Sequence, residues 1–270
     1  MILTVLHLTT YRYETPVRGV VQSHRLTPSQ FDGQKTLSWR VEVEGGQRGG
    51  GFRDGAGDWV QGYSVRGPVS ELVVRVAGEV ETFDLAGMLK GHRETVPPEA
   101  YLRETAATRP DAALAELGRE ASAGARDPLD AAHRISAAVA EAIAYAPGAT
   151  HAHTTAAEAL AQGEGVCQDH AHALIAAARA QGTPARYVSG YLMADVAELP
   201  HEAAHAWAEL HIAGLGWVGF DAANRCCPDG RFIRLGSGFD ARDAAPIRGI
   251  ARGPGSESLD VTVAIQAVQQ

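Results

Sequence analysis

The residue that is the best candidate for a reactive group is a cysteine that follows two glycines. Residues 163–170 read Gly-Glu-Gly-Val-Cys-Gln-Asp-His, and the alanine-rich pattern after them predicts a helix from Cys167 to about Ala180. Unpaired backbone N–H groups and the helix dipole favour negative charge at a helix N-terminus, so this position favours the reactive thiolate and could stabilise an oxyanion. Taken alone, Cys167 also fits the commoner environment of a free cysteine, a small buried residue at a helix start.

A histidine and an aspartate occur where two strands are predicted. His205 opens an alternating segment, and Asp221 ends a second strand-like segment 16 residues further along. Adjacent antiparallel strands could place the two side chains together, so that a carboxylate orients an imidazole base within reach of a thiol. Spacing leaves this open, because the chain has 11 histidines and 32 acidic residues.

Two regions of different composition must position these residues. Residues 1–95 alternate between β-forming and polar types and contain glycine clusters, which predicts an N-terminal β domain of several short strands. Residues 96–250 contain the predicted helices and most of the later strands, and we expect them to form a second domain that carries the candidate catalytic residues. Residues 225–257 read mainly as loop. Residues 251–270 contain a last strand, which we expect to pack back on the N-terminal domain.

Two sequence patterns in the second region predict where helices begin. Asp127-Pro128 fits a helix that begins with an aspartate N-cap and a proline at its first position. Thr155 and Glu158 have the spacing of a capping box, which predicts a helix to about Gln162. The second of these helices ends directly before the glycine turn of the candidate nucleophile.

Composition limits the classes of partner. The chain has 270 residues, with 24 Lys and Arg against 32 Asp and Glu, which gives a net charge of −8. This balance argues against nucleic acid or an anionic membrane as the main partner.

No apolar run approaches the roughly 18 residues of a membrane span, and the first residues lack the features of a signal peptide. Three cysteines are too few for a disulfide framework, so we expect a cytoplasmic protein with reduced thiols.

Four blocks of sequence occur in the order found in one family. They are Gly-Val-Cys-Gln-Asp-His-Ala at 165–171, Gly-Thr-Pro-Ala-Arg-Tyr-Val-Ser-Gly-Tyr at 182–191, His-Ala-Trp-Ala-Glu at 205–209 and Gly-Trp-Val-Gly-Phe-Asp at 216–221. With them the chain strongly resembles the bacterial transglutaminase-like proteins of the papain-like Cys-His-Asp superfamily. Residues 9–17, 25–28 and 238–246 extend the resemblance to nearly the whole chain. It implies an α+β protein with a papain-like, transglutaminase-like core, in which a helix packs on an antiparallel sheet, and an N-terminal β-sandwich-like domain.

The same resemblance implies a mechanism. It makes Cys167 the nucleophile, His205 the general base and acid, and Asp221 the residue that orients the histidine. The thiol attacks a carboxamide or peptide carbonyl, and water or an amine resolves the thioester. We expect hydrolysis of a protein or peptide substrate, by a cysteine peptidase or amidase that needs no metal or organic cofactor. The alternatives are a protein-glutamine crosslinking transglutaminase and a catalytically silent binding or scaffold module of the same fold.

Other residues in or near the blocks are candidates for supporting roles. Tyr145 could donate its hydroxyl to an oxyanion, or be an ordinary tyrosine at a helix end. Gln168 and Trp207 are further candidates for oxyanion or substrate binding. Asp169 and Arg186 each belong to a block, which favours a buried ion pair between the nucleophile helix and the next strand.

The chain departs from the usual family sequence just after the aspartate. Ala-Ala-Asn at 222–224 stands where Pro-Thr-Asn is common, and Cys226 and Cys227 follow. Two adjacent cysteines could hold a metal or form a vicinal disulfide, but such pairs are more often incidental. These departures keep the three candidate catalytic residues and change the expected wall of the cleft.

Histidines offer a competing interpretation as metal ligands. Residues 201–205 read His-Glu-Ala-Ala-His and match a zinc-protease pattern, but Pro200 precedes them and a strand-like pattern follows, which favours a loop near the cleft mouth. Residues 151–153 offer a second pair. His170 and His172 would leave different sides of a helix, so we expect His170 on the cleft side or solvated and His172 packed.

Overall fold

The computed structural model of the protein describes residues 1–193 and 204–267. In these residues a short 3-10 helix, Pro98–Leu102, precedes four α-helices: α1 (Ala112–Ser122), α2 (Pro128–Ala142), α3 (Ala156–Gln162) and α4 (Cys167–Ala180). The strands are β1 (Ile2–His24), β2 (Gln34–Val43), β3 (Gly46–Arg53), β4 (Trp59–Thr82), β5 (Ala144–Tyr145), β6 (Glu164–Gly165), β7 (Ala185–Leu192), β8 (Ala204–Ile212), β9 (Gly216–Phe220), β10 (Phe232–Gly238), β11 (Ile247–Ala251) and β12 (Glu257–Ala267). This mixture of helices and antiparallel sheets confirms the predicted α+β class.

The N-terminal region is one antiparallel sheet built around two long strands. β1 and β4 pair along most of their length, and their register shifts between Arg12 and Gly19. On one side of this shift β4 pairs with β2 and β1 pairs with β12, and on the other side β4 pairs with β3 and β1 with β11. The prediction of several short strands was wrong here, because the polar residues and prolines at the shift interrupt the alternation without ending the strands.

The second sheet is antiparallel and supports helix α4. Its strand order is β10-β7-β8-β9, and α4 packs across β7 and β8. Alanines dominate the contact, including Ala173, Ala177 and Ala208, all fully buried. Small side chains let a helix lie close to its neighbours, and a Cβ at Gly118 of α1 would lie 2.6 Å from the Ala177 carbonyl oxygen. The alanine-rich composition therefore produces a tightly packed helical layer on one face of this sheet.

The two sheets share a core. Alternate residues of β1 and β4, such as Leu3 and Val74, are fully buried and pack with Tyr191 of β7 and with Ile233 and Leu235 of β10. Burial of aliphatic side chains of this size contributes about 1.5–3 kcal/mol each. The apolar face of the N-terminal sheet thus faces the sheet that carries the candidate histidine.

The helix-start predictions are confirmed. Asp127 caps α2 by accepting from the Asp130 N–H, with Pro128 at the first position. Thr155 and Glu158 form a reciprocal capping box at α3, which ends at Gly163 in the left-handed region with φ 72°. These local signals fix where the chain enters the turn that precedes α4.

The prediction that residues 225–257 are mainly loop holds for most of them but missed two strands, β10 and β11. Arg234, Gly236 and Ser237 lie inside β10 and are buried. Their polar groups hydrogen-bond across a buried polar interface, so β10 lacks the apolar alternation by which strands are recognised. In the part of the chain that the structure describes, no helix is long and apolar enough to cross a membrane.

Candidate active site

Cys167 is the first residue of α4, as the sequence predicts. The preceding turn is fixed by Asp169, whose Oδ2 accepts from the Val166 N–H at 2.8 Å and from the Thr150 hydroxyl at 2.6 Å. A Cβ at Gly165 would lie 2.7 Å from the Asp169 Cβ, so the carboxylate can fold back over the turn only because a glycine is there. The glycine turn therefore sets the position of the thiol.

Two backbone donors lie beside the thiol. The N–H groups of Cys167 and Gln168 occupy the first two helical positions, and neither donates to an acceptor within residues 1–193 and 204–267. The next two N–H groups, of Asp169 and His170, bond to the Val166 carbonyl. Unpaired N–H groups at a helix start are suited to receive an oxyanion.

His205 and Asp221 meet across adjacent strands. His205 lies at the start of β8 and Asp221 directly follows β9, and these strands are antiparallel with Ala208 opposite Phe220. His205 Nε2 donates to Asp221 Oδ2 over 2.6 Å, and both side chains are largely buried. A side-chain hydrogen bond also joins His205 to Cys167. The structure thus brings together the three residues that the sequence singles out.

The charge of His205 is set by these two partners. Burial disfavours a charged imidazole, but hydrogen bonds to Asp221 and Cys167 and attraction to their negative charges together raise the pKa of His205 to about 10. A protonated histidine between a carboxylate and a thiol is the arrangement that stabilises a thiolate nucleophile.

Asn224 is a site residue that the sequence analysis did not assign a role. Its Nδ2 donates to Asp221 Oδ2 at 2.7 Å, and its backbone N–H donates to Asp221 Oδ1 at 3.1 Å. Nδ2 also lies 3.3 Å from His205 Nε2, so the amide covers the histidine–aspartate hydrogen bond. One signal was present in the sequence, since Asn224 is the only asparagine of the chain.

Trp207 supports the histidine from the same face of β8. Its ring is nearly parallel to that of His205, with centroids 6.4 Å apart, and it packs edge-on against Phe232. It is only 3% exposed, so its place is in the wall behind His205 rather than at an open substrate surface. A Cβ at Gly190 would lie 2.6 Å from Trp207 Cη2, which explains a glycine at the centre of β7.

Tyr145 and Gln168 both lie near the thiol. Tyr145 is in β5, which pairs in parallel with β6 so that Tyr145 is opposite Gly165. Its side chain is 53% exposed, and its ring centroid lies 6.4 Å from that of His170. Gln168 Nε2 donates to the Ala152 carbonyl at 3.4 Å, which directs the side chain toward the preceding loop. An oxyanion or substrate role for either residue stays a prediction.

The predicted ion pair between Asp169 and Arg186 was wrong. Arg186 binds Glu94 and Glu209, with its Nε 2.7 Å from Glu209 Oε2. Side chains alternate across a strand, and the next residue, Tyr187, packs against α4. Arg186 therefore points to the opposite face of the sheet from the helix that carries Asp169.

The described histidines that the sequence analysis considered as metal ligands do not form a metal site. His170 is buried, with both ring nitrogens 2.9 Å from carbonyl oxygens, so the expectation of a cleft-side or solvated side chain was wrong. His172 is packed against Tyr187, as predicted. His201 and Glu202 lie outside the described residues. Within residues 1–193 and 204–267, no group of three or more His, Cys, Asp or Glu side chains is arranged to hold a metal ion.

Cys226 and Cys227 are free thiols next to the triad. The Cys226 backbone pairs with that of Asp221 through two hydrogen bonds, which closes the loop that contains Asn224. Burial raises the pKa of Cys226 to about 11 and also raises that of Cys227. Both thiols therefore stay protonated at neutral pH.

A cysteine at the start of a helix, next to a histidine and a carboxylate on an antiparallel sheet, defines the papain-like class of folds. Residues 115–222 match the transglutaminase-like superfamily, and residues 3–81 match the bacterial transglutaminase-like N-terminal region. An uncharacterized protein of Mycobacterium leprae is 32% identical over 97% of this chain and 98% of its own. The chain belongs to the transglutaminase-like superfamily, and this confirms the resemblance predicted from the sequence.

Other proteins are similar over part of the sequence or in fold. An uncharacterized protein of Mycobacterium tuberculosis is 34% identical over 96 residues, which span 32% of this chain and 30% of its own. A solved structure named "Putative Cysteine Protease", from Cytophaga hutchinsonii, covers 100% of this chain and 91% of its own, with a TM-score of 0.77 and 21% identity. At that level of identity the likeness supports the shared fold.

Proposed function

We propose that the protein is a cysteine-dependent acyl-transfer enzyme that hydrolyses amide bonds in peptides or proteins. The observation that carries the proposal is that the His205 side chain hydrogen-bonds both to Asp221, at 2.6 Å, and to Cys167. The protease name of the structural relative is consistent with hydrolysis. Water is the default acceptor for a thioester, because no dedicated amine site is needed for it.

The proposed reaction uses the described atoms in turn. The Cys167 thiolate attacks the amide carbonyl, and the N–H groups of Cys167 and Gln168 receive the oxyanion. The C–N bond breaks as His205 gives its proton to the leaving amine, which leaves a thioester on Cys167. Water then attacks the thioester while His205 takes its proton, and the C–S bond breaks to release the carboxylic acid and restore the Cys167 thiolate beside protonated His205. Asp221 holds the imidazole in place throughout.

The first experiment measures the reactivity of the thiol without assuming a substrate. Iodoacetamide alkylation of each cysteine is followed by peptide mass spectrometry at several pH values, in the wild type and in His205→Ala. We expect Cys167 to react at least about tenfold faster than Cys226 and Cys227 near neutral pH, and to lose this advantage in the variant. Equal rates at all three cysteines would contradict an activated nucleophile.

A second experiment separates hydrolysis from crosslinking. Casein is incubated with the protein and a fluorescent primary amine, and both new peptide termini and attached amine are measured. New termini that disappear in Cys167→Ala support the proposed hydrolysis. Attached amine without new termini would assign transglutaminase activity instead. Neither product, together with unreactive Cys167, would identify a silent module of this fold.

A further inference from the structure

A cleft in the N-terminal region has no part in the proposed reaction. It has a volume of about 630 Å³ and is lined by residues of β2, β3 and β4, by the end of β1 and by the segment that follows β1. This volume is within the roughly 300–1,000 Å³ of ligand-binding sites. Its lining is mostly aromatic and polar, with His24, Trp39, Trp59, Gln61 and Tyr63 among its residues.

His24 lines this cleft and has a ring nitrogen without a partner among the described residues. It is 1% exposed, its Nε2 lies 2.9 Å from the side-chain Oε1 of Gln22, and the Tyr63 ring centroid is 4.7 Å from its own. Burial lowers the pKa of His24 to about 4, so the ring is neutral at pH 7 and its proton lies on Nε2. Nδ1 has no hydrogen-bond partner among the described residues. Because buried polar atoms nearly always have partners, this atom is suited to a donor from a ligand.

The rim of the cleft is positively charged although the chain is acidic. Arg40, Arg48 and Arg53 line it together with one carboxylate, Glu42, while the whole chain has a net charge of −8. Glu42 is paired with Arg40 at 2.5 Å. Arg48 and Arg53 make hydrogen bonds only to uncharged groups in the described chain, at Gln61 and at the Gly57 carbonyl. Their charges are therefore available to an anionic ligand.

The cleft has two neighbouring cavities that share lining residues. A cavity of about 490 Å³ shares Gln30 and Arg53 with it. Phe31 lines that second cavity and also a smaller crevice that contains Trp207, the residue stacked on His205.

We propose that this cleft is an exosite that binds an acidic, extended segment of the peptide or protein substrate; the substrate assignment rests on the proposed function. Carboxylates of the segment pair with Arg48 and Arg53, a backbone N–H donates to His24 Nδ1, and aliphatic stems pack on Trp59. An inorganic anion could satisfy the arginines but could not supply the other two contacts.

The test measures binding to the full chain carrying Cys167→Ala, so that it does not depend on catalysis. A fluorescein-labelled peptide of alternating glutamate and alanine is titrated and followed by fluorescence anisotropy. The Arg48→Gln/Arg53→Gln variant is compared with Arg109→Gln/Arg252→Gln, which removes the same charge from exposed positions outside the cleft. We expect affinity to fall about tenfold or more in the first variant and less than about twofold in the second.

Two further measurements test whether binding requires an acidic peptide. The matching lysine–alanine peptide should not bind, and inorganic phosphate at equal ionic strength should not displace the glutamate peptide. Equal losses in the two double variants, binding of the lysine peptide, or full displacement by phosphate would each overturn the exosite proposal. Loss of peptide hydrolysis in Cys167→Ala tests the proposed function separately, because the binding measurement is made without that thiol.

Discussion

His205 is the residue whose charge controls the proposed chemistry. Its pKa is about 10 in the folded protein, against 6.5 without these partners. We therefore expect the alkaline limit of kcat/KM for peptide hydrolysis near pH 10, because His205 must be protonated to release the amine. In Asp221→Ala one of the groups that raise this pKa is gone, so the limit should move toward neutral pH. Rate–pH profiles of the two proteins check the shift.

The same pKa shift affects stability with a defined sign. A folded-state pKa above the unfolded value of 6.5 means that the stabilisation is fully present below pH 6.5 and is lost as pH rises through about 10. NMR titration of the His205 ring protons measures this pKa directly. A midpoint near 6.5 in the wild type would contradict both the alkaline limit and the charged pair with Cys167.

Asn224 should act by positioning Asp221. In Asn224→Ala the carboxylate loses a charge-assisted hydrogen bond of about 1.5–3 kcal/mol, so we expect kcat to fall about tenfold or more with little change in KM. Asn224→Asp places a second carboxylate beside Asp221 and should reduce kcat at least as much. Steady-state kinetics on a peptide substrate measure both.

A control must distinguish a positioning role of Asn224 from a loss of folded protein, and two measurements do so. A positioning role predicts that the alkaline limit of kcat moves together with the His205 pKa, while thermal unfolding changes little. If Asn224→Ala lowers activity only in proportion to loss of folded protein, the residue is structural and the positioning role is wrong.

At the scale of elements, a buried charge network holds β7, β8 and β10 together. Glu209 of β8 accepts from Arg186 Nε at 2.7 Å and from Arg234 Nε at 2.8 Å. Arg234 Nη1 also donates to Asp58 Oδ1 at 2.7 Å, and Asp58 lies in the turn before β4. Burial raises the pKa of Glu209, but the two arginines outweigh burial and lower it to about 2. The network therefore depends on every charge being present.

Removing one carboxylate should be costly. Glu209→Gln leaves two buried guanidinium groups without their shared partner, and we expect a loss of about 3–5 kcal/mol in the free energy of unfolding. The matched control is Glu71→Gln, since the Arg12–Glu71 pair is more than half exposed and should be worth no more than about 1 kcal/mol. Urea unfolding followed by circular dichroism measures both. Equal effects would show that the network contributes no more than a surface pair.

The elements that the sequence predicts correctly carry local signals. α4 and the strands β7 to β9 follow from periodicity, and α3 follows from its capping box, because each signal lies within a few residues of the element that it defines. β10 could not be recognised, since its side-chain partners lie far away in sequence, such as Asp58, 176 residues before Arg234. The alternation of side chains along β7 could have excluded the ion pair between Arg186 and Asp169. Tyr187 faces the helix, so its neighbour Arg186 must point to the other face of the sheet.

For the triad, the sequence identifies the residues but not the contacts between them. The resemblance to a family identifies Cys167, His205 and Asp221, while their contact depends on strand pairing over 16 residues and on helix packing. Asn224 lies only three residues from Asp221, but nothing in the local pattern says that its side chain turns back to the carboxylate. Its status as the sole asparagine of the chain was the available clue.

For the whole molecule, the contacts between the two regions predict a single folding unit. Leu3 and Val74 pack with Ile233, and Asp58 supplies the partner of the buried Arg234. β12 runs antiparallel to β1 from Leu3 to Tyr13, so the last strand completes the first sheet. We therefore expect the full chain to unfold in one transition, with tryptophan fluorescence and circular dichroism giving the same midpoint.

A chain that begins at residue 96 tests this directly. It keeps the triad but exposes the apolar residues Tyr191, Ile233 and Leu235 and leaves Arg234 without Asp58. Exposed apolar surface and an unpaired buried charge should leave a loosely packed state that binds a hydrophobic dye and lacks sharp near-ultraviolet circular dichroism. Adding residues 1–95 as a separate chain should restore part of the signal. Cooperative unfolding of the fragment alone, with fast alkylation at Cys167, would instead show that the catalytic region folds independently and that the shared core is an interface between two domains.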